Sequence, residues 1–535
     1  MGHEAPRRHR AGGRCGAPGS GLGSARRWAG GGRPAGAAHD LARRARLSPV
    51  SRRRLAGILA ALAGVCAPVP APAASDGAAG SEPSDCPAGA VRITPGDSIQ
   101  RAALRAGPRG TVCLAAGLYR LQEVTPLADQ TFLGEPGAVL DGARVLGGFT
   151  RAGPYWQADG LWPRGGGPGQ CRSGTLCLQP LALFRDGTPL RRVAARTDLG
   201  PGRYLVEAAQ GRVILADDPA GHVIEAASAR FAFRGRAPNV RIRGLLVEKY
   251  DSPAQEGAIE GQGPGWRVER SELRYNSGAG VGVISGGAVR DCAIHHNGQL
   301  GATAGGTDIL FENNRIFANN TAGFDPAWEA GGVKITASRA VVLRGNRVER
   351  NGGPGLWCDI DCRDVLFEGN HAEGNLGPGI FYEISYAAVI RRNTLRLNGD
   401  PAATWFWDAD IQVAASEDVE VSDNDITVRP GGHAVVLVDQ ARARAQGGLY
   451  RTAGNRVHDN RFVFQGAGSA GGVSDAEPDS PNFRVIQTGR NGFDRNLYTF
   501  PAATPPRFIW GHDIIDFAQF RAAGQEQTGI LKAAP

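Results

Sequence analysis

Three similar segments of the sequence place charged residues at matched positions. They read WEAGGVKI (328–335), GLWCDID (355–361) and GIFYEIS (379–385), and they contain Lys334, Asp359 and Glu383. Carboxyl groups that face one cleft repel each other unless a proton, a cation or a substrate uses them. Paired carboxyl groups can break a glycosidic bond by acid–base and nucleophilic catalysis. The pattern therefore favours an active site over the alternative, a solvated acidic face.

The spacing of the two carboxyl groups separates the possible mechanisms. Equivalent residues on neighbouring parallel strands lie about 4.7 to 4.9 Å apart. Retaining glycosidases need carboxyl groups about 5 to 5.5 Å apart, whereas inverting enzymes need about 6.5 to 9.5 Å. We therefore predict that Asp359 attacks the anomeric carbon and that Glu383, with its pKa raised by its neighbour, is the acid/base. Glu329 and Lys334 would position hydroxyl groups or tune the pair, and Asp361 competes with Asp359 for the role of nucleophile.

The same side chains allow two other functions. Asp359, Asp361 and Glu383 could hold Ca²⁺ through oxygen ligands. Lys334 would then take the proton beside a uronate carboxylate, as in a polysaccharide lyase or epimerase. A hydrolase would need no cofactor. The remaining alternative is a non-catalytic glycan-binding surface protein in which the acids are solvated.

Three long intervals between repeats predict surface loops, because extra residues in a solenoid must leave its surface. They are TAGFDPAWEAGGVK (321–334), GDPAATWFWDAD (399–410) and GGHAVVLVDQARARAQGG (431–448). The first two would form the walls of a cleft about two coils wide, with tryptophans that stack on sugar rings or pack within their own loops. The residues predicted to bind substrate are Trp328, Trp357, Trp405, Trp407 and Gln412.

A repeat must position these residues. Segments such as VERSELRYN (268–276) and LRGNRVERN (343–351) recur between residues 242 and 464, with shortest intervals of 21 to 24 residues. This length fits one coil of short strands, and stacked Asn amides can pair from coil to coil. We predict an all-β fold, a right-handed parallel β-helix solenoid whose hand follows the general rule for parallel crossovers. Two positions of the repeat, five residues apart, are mostly Asn, and each forms a column along the coils. The first column is Leu245, Ser271, Cys292, Asn314, Asn346, Asn370, Asn393, Asn424 and Asn460. The second is Tyr250, Asn276, Asn297, Asn319, Asn351, Asn375 and Asn398.

The predicted domains follow from this solenoid. A small inserted β domain (150–232) separates the N-terminal cap and first coils (86–149) from the main β-helix (233–500), and a C-terminal cap (501–535) follows. An amphipathic helix is predicted around Ile99 to Leu104 with Asp97 or Ser98 as its N-cap, and another at 514–525 with Asp513 as its N-cap. Such caps cover the ends of a solenoid.

Composition and charge indicate an exported protein. Glycine (78) and proline (34) make up about a fifth of the 535 residues, which is typical of turn-dense β structure. Residues 1 to 74 hold 13 of the 60 basic residues and two acidic ones, leaving 47 basic and 50 acidic residues, so nucleic-acid binding is not supported. We interpret 1–50 as a disordered or untranslated leader and 51–74 as a signal peptide. We expect a periplasmic or extracellular monomer with a carbohydrate substrate and no stable membrane span after signal cleavage.

Export permits disulfides. Cys292 occupies an inward position of the repeat and is predicted to be a buried thiol. The candidate pairs are Cys86 with Cys113, Cys171 with Cys177, and Cys358 with Cys362.

In its motifs the chain resembles right-handed parallel β-helix (pectin-lyase-like) carbohydrate-active proteins. It is closest in layout to retaining β-xylosidases that carry a β-sandwich inserted in a β-helix, through WEAGGVKI, GLWCDID and GIFYEIS. That family uses an Asp nucleophile, a Glu acid/base one coil away and a further Glu, which the resemblance places at Asp359, Glu383 and Glu329. GFDPAWE (323–329) is similar to the FDPH-type motif of alginate epimerases, but Ala327 replaces the histidine.

Overall fold

Alternation of apolar and polar residues builds the strands. Along the strand Gly331–Arg344, Val333 and Ile335 are 1% and 0% exposed and belong to the core. Lys334 lies between them, and because successive side chains of a strand point to opposite faces, it projects from the outer side. The same alternation puts apolar side chains from every coil into one continuous core.

The structure, a computed structural model, describes residues 86–161, 168–178, 181–403, 405–504 and 507–534. The predicted leader and signal peptide lie outside these ranges. Within them the chain forms a parallel β-helix, since each strand pairs in parallel with the strand one coil further on. No helix in these ranges is both long enough and apolar enough to span a membrane.

Two faces of the solenoid form one 23-stranded sheet, because the long strands Leu300–Glu312 and Gly331–Arg344 continue from one face to the other. The face that carries Trp357 and Phe381 is called the site face below. The 23 strands are Val91–Ile93, Thr111–Leu114, Thr131–Gly134, Phe233–Gly235, Arg241–Arg243, Gly257–Gly261, Arg267–Glu269, Ala279–Ile284, Ala288–Arg290, Leu300–Glu312, Gly331–Arg344, Leu356–Asp359, Arg363–Glu368, Ile380–Glu383, Tyr386–Arg391, Ala409–Ala414, Glu417–Ser422, His433–Asp439, Arg456–His458, Ser469–Ser474, Gly492–Asp494, Arg507–Gly511 and Asp513–Ile515.

The remaining face is a 13-stranded parallel sheet. Its short strands lie between the two Asn columns of each coil. They are Gly117–Arg120, Ala138–Asp141, Leu246–Glu248, Glu272–Arg274, Ala293–His295, Arg315–Phe317, Arg347–Glu349, His371–Glu373, Thr394–Arg396, Asp425–Val428, Arg461–Phe464, Leu497–Pro501 and Ile530–Ala534.

Both predicted Asn columns form hydrogen-bonded ladders. In the first, each side-chain amide from Asn314 to Asn460 donates to the Oδ1 of the next coil's Asn at 2.9 to 3.0 Å, and the ladder continues to Asn496. The second runs from Asn276 to Asn398 at 2.8 to 3.0 Å and ends on Asp410. These bonds satisfy buried amides and hold the coils in register.

A small β domain is inserted in the first coils. Thr131–Gly134 pairs directly with Arg241–Arg243, so the solenoid continues across the intervening residues. The insertion contains a four-stranded sheet of Ala143–Val145, Leu183–Arg185, Thr188–Pro189 and Ile224–Ala227. It also contains a five-stranded sheet of Thr150–Ala152, Tyr155–Asp159, Arg191–Val193, Arg203–Glu207 and Arg212–Leu215, together with the 3₁₀ turns Arg196–Asp198 and Ala208–Gln210.

The helices differ in detail from the sequence predictions. The first spans Ile99–Ala106 with Ser98 as its N-cap. The C-terminal helix spans Phe517–Ala522 rather than 514–525, and Asp516 rather than Asp513 caps it, because Asp513 belongs to a strand. Two further helices are Pro326–Glu329 and Val485–Thr488. The strand Ile530–Ala534 pairs in parallel with Leu497–Pro501, so the solenoid continues into the segment that was predicted as a C-terminal cap.

The disulfide predictions are confirmed for two of the three pairs. Bonds join Cys86 to Cys113 and Cys171 to Cys177. Cys292 is a free buried thiol, as predicted. The third prediction is wrong: Cys358 and Cys362 are free, and the thiol of Cys362 donates to the carbonyl oxygens of Asp359 at 3.4 Å and Ile335 at 3.7 Å. The turn between them contains two residues with positive φ, Ile360 (57°) and Asp361 (56°).

Candidate active site

Parallel pairing brings the predicted residues onto the site face. Lys334 pairs with Trp357, and Trp357 pairs with Phe381, so the three stack along consecutive coils. Asp359 and Glu383 lie two residues beyond Trp357 and Phe381. The register therefore places them at equivalent positions of adjacent coils, as the sequence predicted, where strands are about 4.8 Å apart.

Lys334 is the centre of a buried charge cluster. Its Nζ lies 2.9 Å from Asp359 Oδ2 and 3.4 Å from Glu329 Oε1, and it donates to the Trp328 carbonyl oxygen at 3.3 Å. The ammonium group also lies 3.5 Å from the centroid of the Trp357 ring, which is a cation–π contact. With all these partners, Lys334 is held in place as a cation.

Asp359 combines one occupied and one free oxygen. The residue is only 7% exposed, and its Oδ2 accepts the ion pair with Lys334. Its Oδ1 is buried with no hydrogen-bond partner among the described residues. A buried polar atom without a hydrogen-bond partner is destabilising, so its presence in a native protein indicates a functional role.

Glu383 has a different environment. It is 5% exposed, and Nη1 of Arg442 donates to its Oε1. Burial, and next the charge of Asp359, raise the pKa of Glu383 to about 7, against the opposing effect of Arg442. Burial likewise raises the pKa of Glu329 above its usual value. At neutral pH a large fraction of Glu383 therefore carries a proton.

Asp361 does not join this pair. Tyr450 donates to Asp361 Oδ1 at 2.9 Å, on the far side of the left-handed turn that follows Asp359. The oxygens of Asp359, Asp361 and Glu383 do not all lie within 4.8 Å of one another. Among the described residues, the group that meets this distance is Glu349, His371 and Glu373, and Glu349 is already paired with Arg347. The predicted Ca²⁺ ligand set is thus not assembled.

The predicted tryptophans are buried or half-buried. Trp357 is 3% exposed and stacks on Phe381 with ring centroids 5.1 Å apart. Trp407 packs edge-on against Phe381 at 5.7 Å, and Trp405 joins the same apolar cluster, both half-buried. Trp328 is also half-buried. These aromatic side chains therefore form a packed layer on the outer side of the site face, next to the carboxyl pair.

Gln412 continues the row of Trp357 and Phe381 on the next coil. It is 0% exposed, and its Nε2 has no hydrogen-bond partner among the described residues. The indole Nε1 of Trp357 is likewise buried without a partner. Both side chains lie beneath the surface, and their predicted role in substrate binding stays a prediction.

The inserted domain forms hydrogen bonds with the loop that carries Glu329 and stabilises it. Asp325 caps the short helix Pro326–Glu329, and its backbone N–H donates to the Gln170 carbonyl at 2.8 Å. Arg172 donates from its backbone to the Gly323 carbonyl at 3.0 Å, within the loop closed by the Cys171–Cys177 disulfide. The disulfide therefore helps to fix one wall of the site.

Sequence reasoning did not identify Arg442 or Tyr450. Both follow the strand His433–Asp439: Arg442 lies in the third long interval (431–448), which was predicted as a loop without a role, and Tyr450 lies two residues beyond it. The segment folds back over two coils, so that Arg442 contacts Glu383 and Tyr450 contacts Asp361. A third residue, Arg444, pairs with Glu417 and lies over the Tyr386 ring at 5.4 Å. The repeated arginines of QARARAQ (440–446) were the available signal.

The chain is similar to known proteins in fold more than in sequence. A family model described as the right-handed β-helix region matches residues 257–426. No curated protein matches the sequence. Among solved structures, the complex of XylC with xylose is 13% identical, with a TM-score of 0.53, and the alignment covers 81% of this chain and 82% of that chain.

Two further structures are more distant. One described as a glycoside hydrolase is 11% identical with a TM-score of 0.44, over 72% of this chain and 96% of that chain. The A-module of the Azotobacter vinelandii mannuronan C-5 epimerase AlgE6 is 16% identical with a TM-score of 0.45, over 82% of this chain and 93% of that chain. The family model and the XylC likeness establish a right-handed parallel β-helix, which confirms the predicted fold class and hand.

Proposed function

We propose that the protein is a retaining glycoside hydrolase with Asp359 as nucleophile and Glu383 as acid/base. The observation that carries this proposal is the unequal environment of two carboxyl groups on adjacent coils. Asp359 forms an ion pair with the ammonium group of Lys334 at 2.9 Å, whereas burial and the charge of Asp359 raise the pKa of Glu383 to about 7. Paired groups whose environments separate their protonation states divide the roles of base and acid.

The reaction would proceed in two steps. In the first, Asp359 forms a bond to the anomeric carbon while the bond to the leaving oxygen breaks, and that oxygen takes the proton of Glu383. In the second, Glu383 removes a proton from water, the water oxygen attacks the same carbon, and Asp359 leaves. Two displacements on opposite faces retain the configuration of the sugar. The unpartnered Oδ1 of Asp359 supports its role as the attacking atom.

The state of Lys334 disfavours the uronate lyase alternative. Burial opposes the ammonium form, but the Asp359 and Glu329 carboxylates outweigh burial and raise the pKa of Lys334 above its usual value. A general base must be deprotonated at the working pH. Lys334 instead serves to orient Asp359 through their ion pair.

A carbohydrate substrate is the class that suits this arrangement. Polymers or oligosaccharides of plant or microbial origin would meet an exported enzyme, and the predicted signal peptide implies export. XylC, which is similar in fold, was solved with xylose, so xylosides belong in the first panel of substrates. The retaining β-xylosidase resemblance of the three segments points to the same test.

The decisive experiment traps the covalent intermediate. A panel of aryl glycosides identifies the sugar that is hydrolysed, and proton NMR of the first product identifies its anomer. The matching 2-deoxy-2-fluoro glycoside should then inactivate the enzyme and add one sugar to Asp359, located by fragmentation of the peptide that contains both Asp359 and Asp361. An inverted product, or a label on Asp361, would refute the assignment.

A matched control distinguishes chemistry from general damage. Asp364 is exposed and pairs with Arg339 at 3.0 Å on the adjoining face. Asp364→Asn should label at the wild-type rate, whereas Asp359→Asn should not label at all. Release of unsaturated, ultraviolet-absorbing products from a uronate polymer would instead favour the lyase.

A further inference from the structure

Arg442 makes an unusual contact for a residue beside an acid/base. Its guanidinium donates through Nη1 to Glu383, and no other side chain in the described part of the chain accepts a hydrogen bond from it. The Arg442 side chain is 39% exposed, although its partner is almost fully buried. Most of its N–H donors are thus free to meet a ligand that enters the site from solvent.

The proposed reaction requires the carboxyl partner of Arg442 to be neutral before the first step. A general acid must hold a proton before the leaving oxygen can take it. Once Glu383 is neutral, the carboxylate nearest to Arg442 has lost its charge. The other two carboxyl groups of the site, those of Asp359 and Glu329, are already paired with Lys334. Arg442 is then a cation without an anionic partner, directly next to the acid/base.

We propose that Arg442 binds a carboxylate of the substrate and so selects glycosides with a uronic acid in the leaving-group position. The inference rests on the proposed function, because it uses the acid role of Glu383. A guanidinium binds a carboxylate through two parallel hydrogen bonds, which adds orientation to attraction. A group that contacts Arg442 lies beside Glu383, and Glu383 protonates the oxygen between the two sugars.

Substrate binding then exchanges partners. The substrate carboxylate replaces Glu383 as the hydrogen-bond partner of the Arg442 guanidinium. The displaced Glu383 carboxylate then takes up one proton from solvent. The number of negative charges in the cluster is unchanged, since one carboxylate replaces another. Binding of an acidic substrate thereby places Glu383 in the acid form that the first step requires, whereas a neutral sugar leaves the Arg442 contact in place.

The test compares acidic and neutral ligands. Calorimetric titration with D-glucuronate, D-galacturonate and D-glucose measures affinity without any hydrolysis. We expect the wild-type protein to bind one of the uronates and to take up protons as it does so. Arg442→Gln should weaken that binding by about 10- to 100-fold, the range for a hydrogen bond between charged groups. Arg442→Lys should recover part of the loss.

The controls separate this inference from the hydrolase proposal. Arg339→Gln removes an exposed arginine that also has a single carboxylate partner, Asp364, and it should bind as the wild type does. Equal affinity of the wild type for uronates and glucose would overturn the inference, as would an Arg442→Gln variant with unchanged uronate affinity. Uronate binding without hydrolysis of any glycoside would support the inference on Arg442 while refuting the hydrolase.

Discussion

Two buried lysines in this molecule lie among carboxylates, and only one of them lies at the candidate active site. Lys249 is 4% exposed and contacts Asp141, Glu225 and Glu248 at 3.2, 2.9 and 3.1 Å. This junction cluster includes Arg120 and Arg274 and lies where the insertion joins the solenoid. The site cluster consists of Lys334, Glu329, Asp359, Glu383 and Arg442.

The two clusters differ in how their carboxyl groups are paired. Each carboxylate that contacts Lys249 also pairs with an arginine: Arg120 lies 3.2 Å from Asp141 and 2.6 Å from Glu225, and Arg274 lies 2.7 Å from Glu248 and is shared with Glu272 at 2.8 Å. The site cluster has three carboxyl groups and only two cations. Burial, and next the charge of Asp359, raise the pKa of Glu383 to about 7, so Glu383 is the carboxyl group of this cluster that exchanges a proton near neutral pH.

They also differ in how fully their polar atoms are bonded. In the junction cluster, Asp141 accepts from Lys249, Arg120 and the Ala143 backbone. In the site cluster, Asp359 Oδ1 is buried without a partner in the described structure. A fully bonded network stabilises the fold, whereas a buried polar atom without a partner indicates a functional site. The comparison predicts opposite effects of matched substitutions.

The largest expected effect is on turnover. Asp359→Asn should lower kcat by about 10⁴-fold, comparable to the loss of other nucleophiles, because an amide cannot form the glycosyl intermediate. Asp141→Asn should leave kcat of the folded protein unchanged and lower its melting temperature more than Asp359→Asn does. Steady-state kinetics and calorimetric melting check both. A large loss of kcat in folded Asp141→Asn would remove the distinction between the clusters.

A smaller effect is expected on stability. Lys249→Met should lower the free energy of unfolding by about 3 to 5 kcal/mol, because it leaves uncompensated buried carboxylates. Lys334→Met should cost less stability, since the site cluster can restore balance by binding protons. Urea unfolding of both variants measures the difference. Equal losses would contradict a functional reading of the site cluster.

The sequence was sufficient for the parts of the structure that repeat. Asn314 and its equivalents recur at one-coil intervals, and this spacing predicted both the ladders and the register. The same repeat placed Asp359 and Glu383 on adjacent coils, because Asp359 lies 11 residues before Asn370 and Glu383 lies 10 residues before Asn393. Periodic positions are readable from sequence, since every coil imposes the same packing on them.

The parts that do not repeat were not predictable in the same way. Arg442 reaches Glu383 across 59 residues of sequence through an irregular segment. The burial of Trp357 depends on Lys334 and Phe381 from the coils on either side. Cys358 and Cys362 are close in sequence, but spacing alone does not determine whether two thiols are bonded. Such contacts depend on how loops fold over several coils, which no local pattern encodes.

The smallest expected effect, and the most specific, is on the pH dependence of stability. The pKa of Glu383 is raised from 4.5 to about 7, so its protonated form stabilises the fold below pH 4.5, and this contribution is lost as the pH rises through about 7. Burial opposes the charged form of Glu225, but hydrogen bonds from Lys249 and Arg120 outweigh it and lower the pKa of Glu225 below 4.5. Its contribution is present above pH 4.5 and is lost as the pH falls. Between pH 4.5 and about 7, the melting temperature of Glu383→Gln should therefore rise relative to wild type, whereas the difference for Glu225→Gln should stay constant. Parallel pH profiles for the two variants would show that the site cluster holds no extra proton.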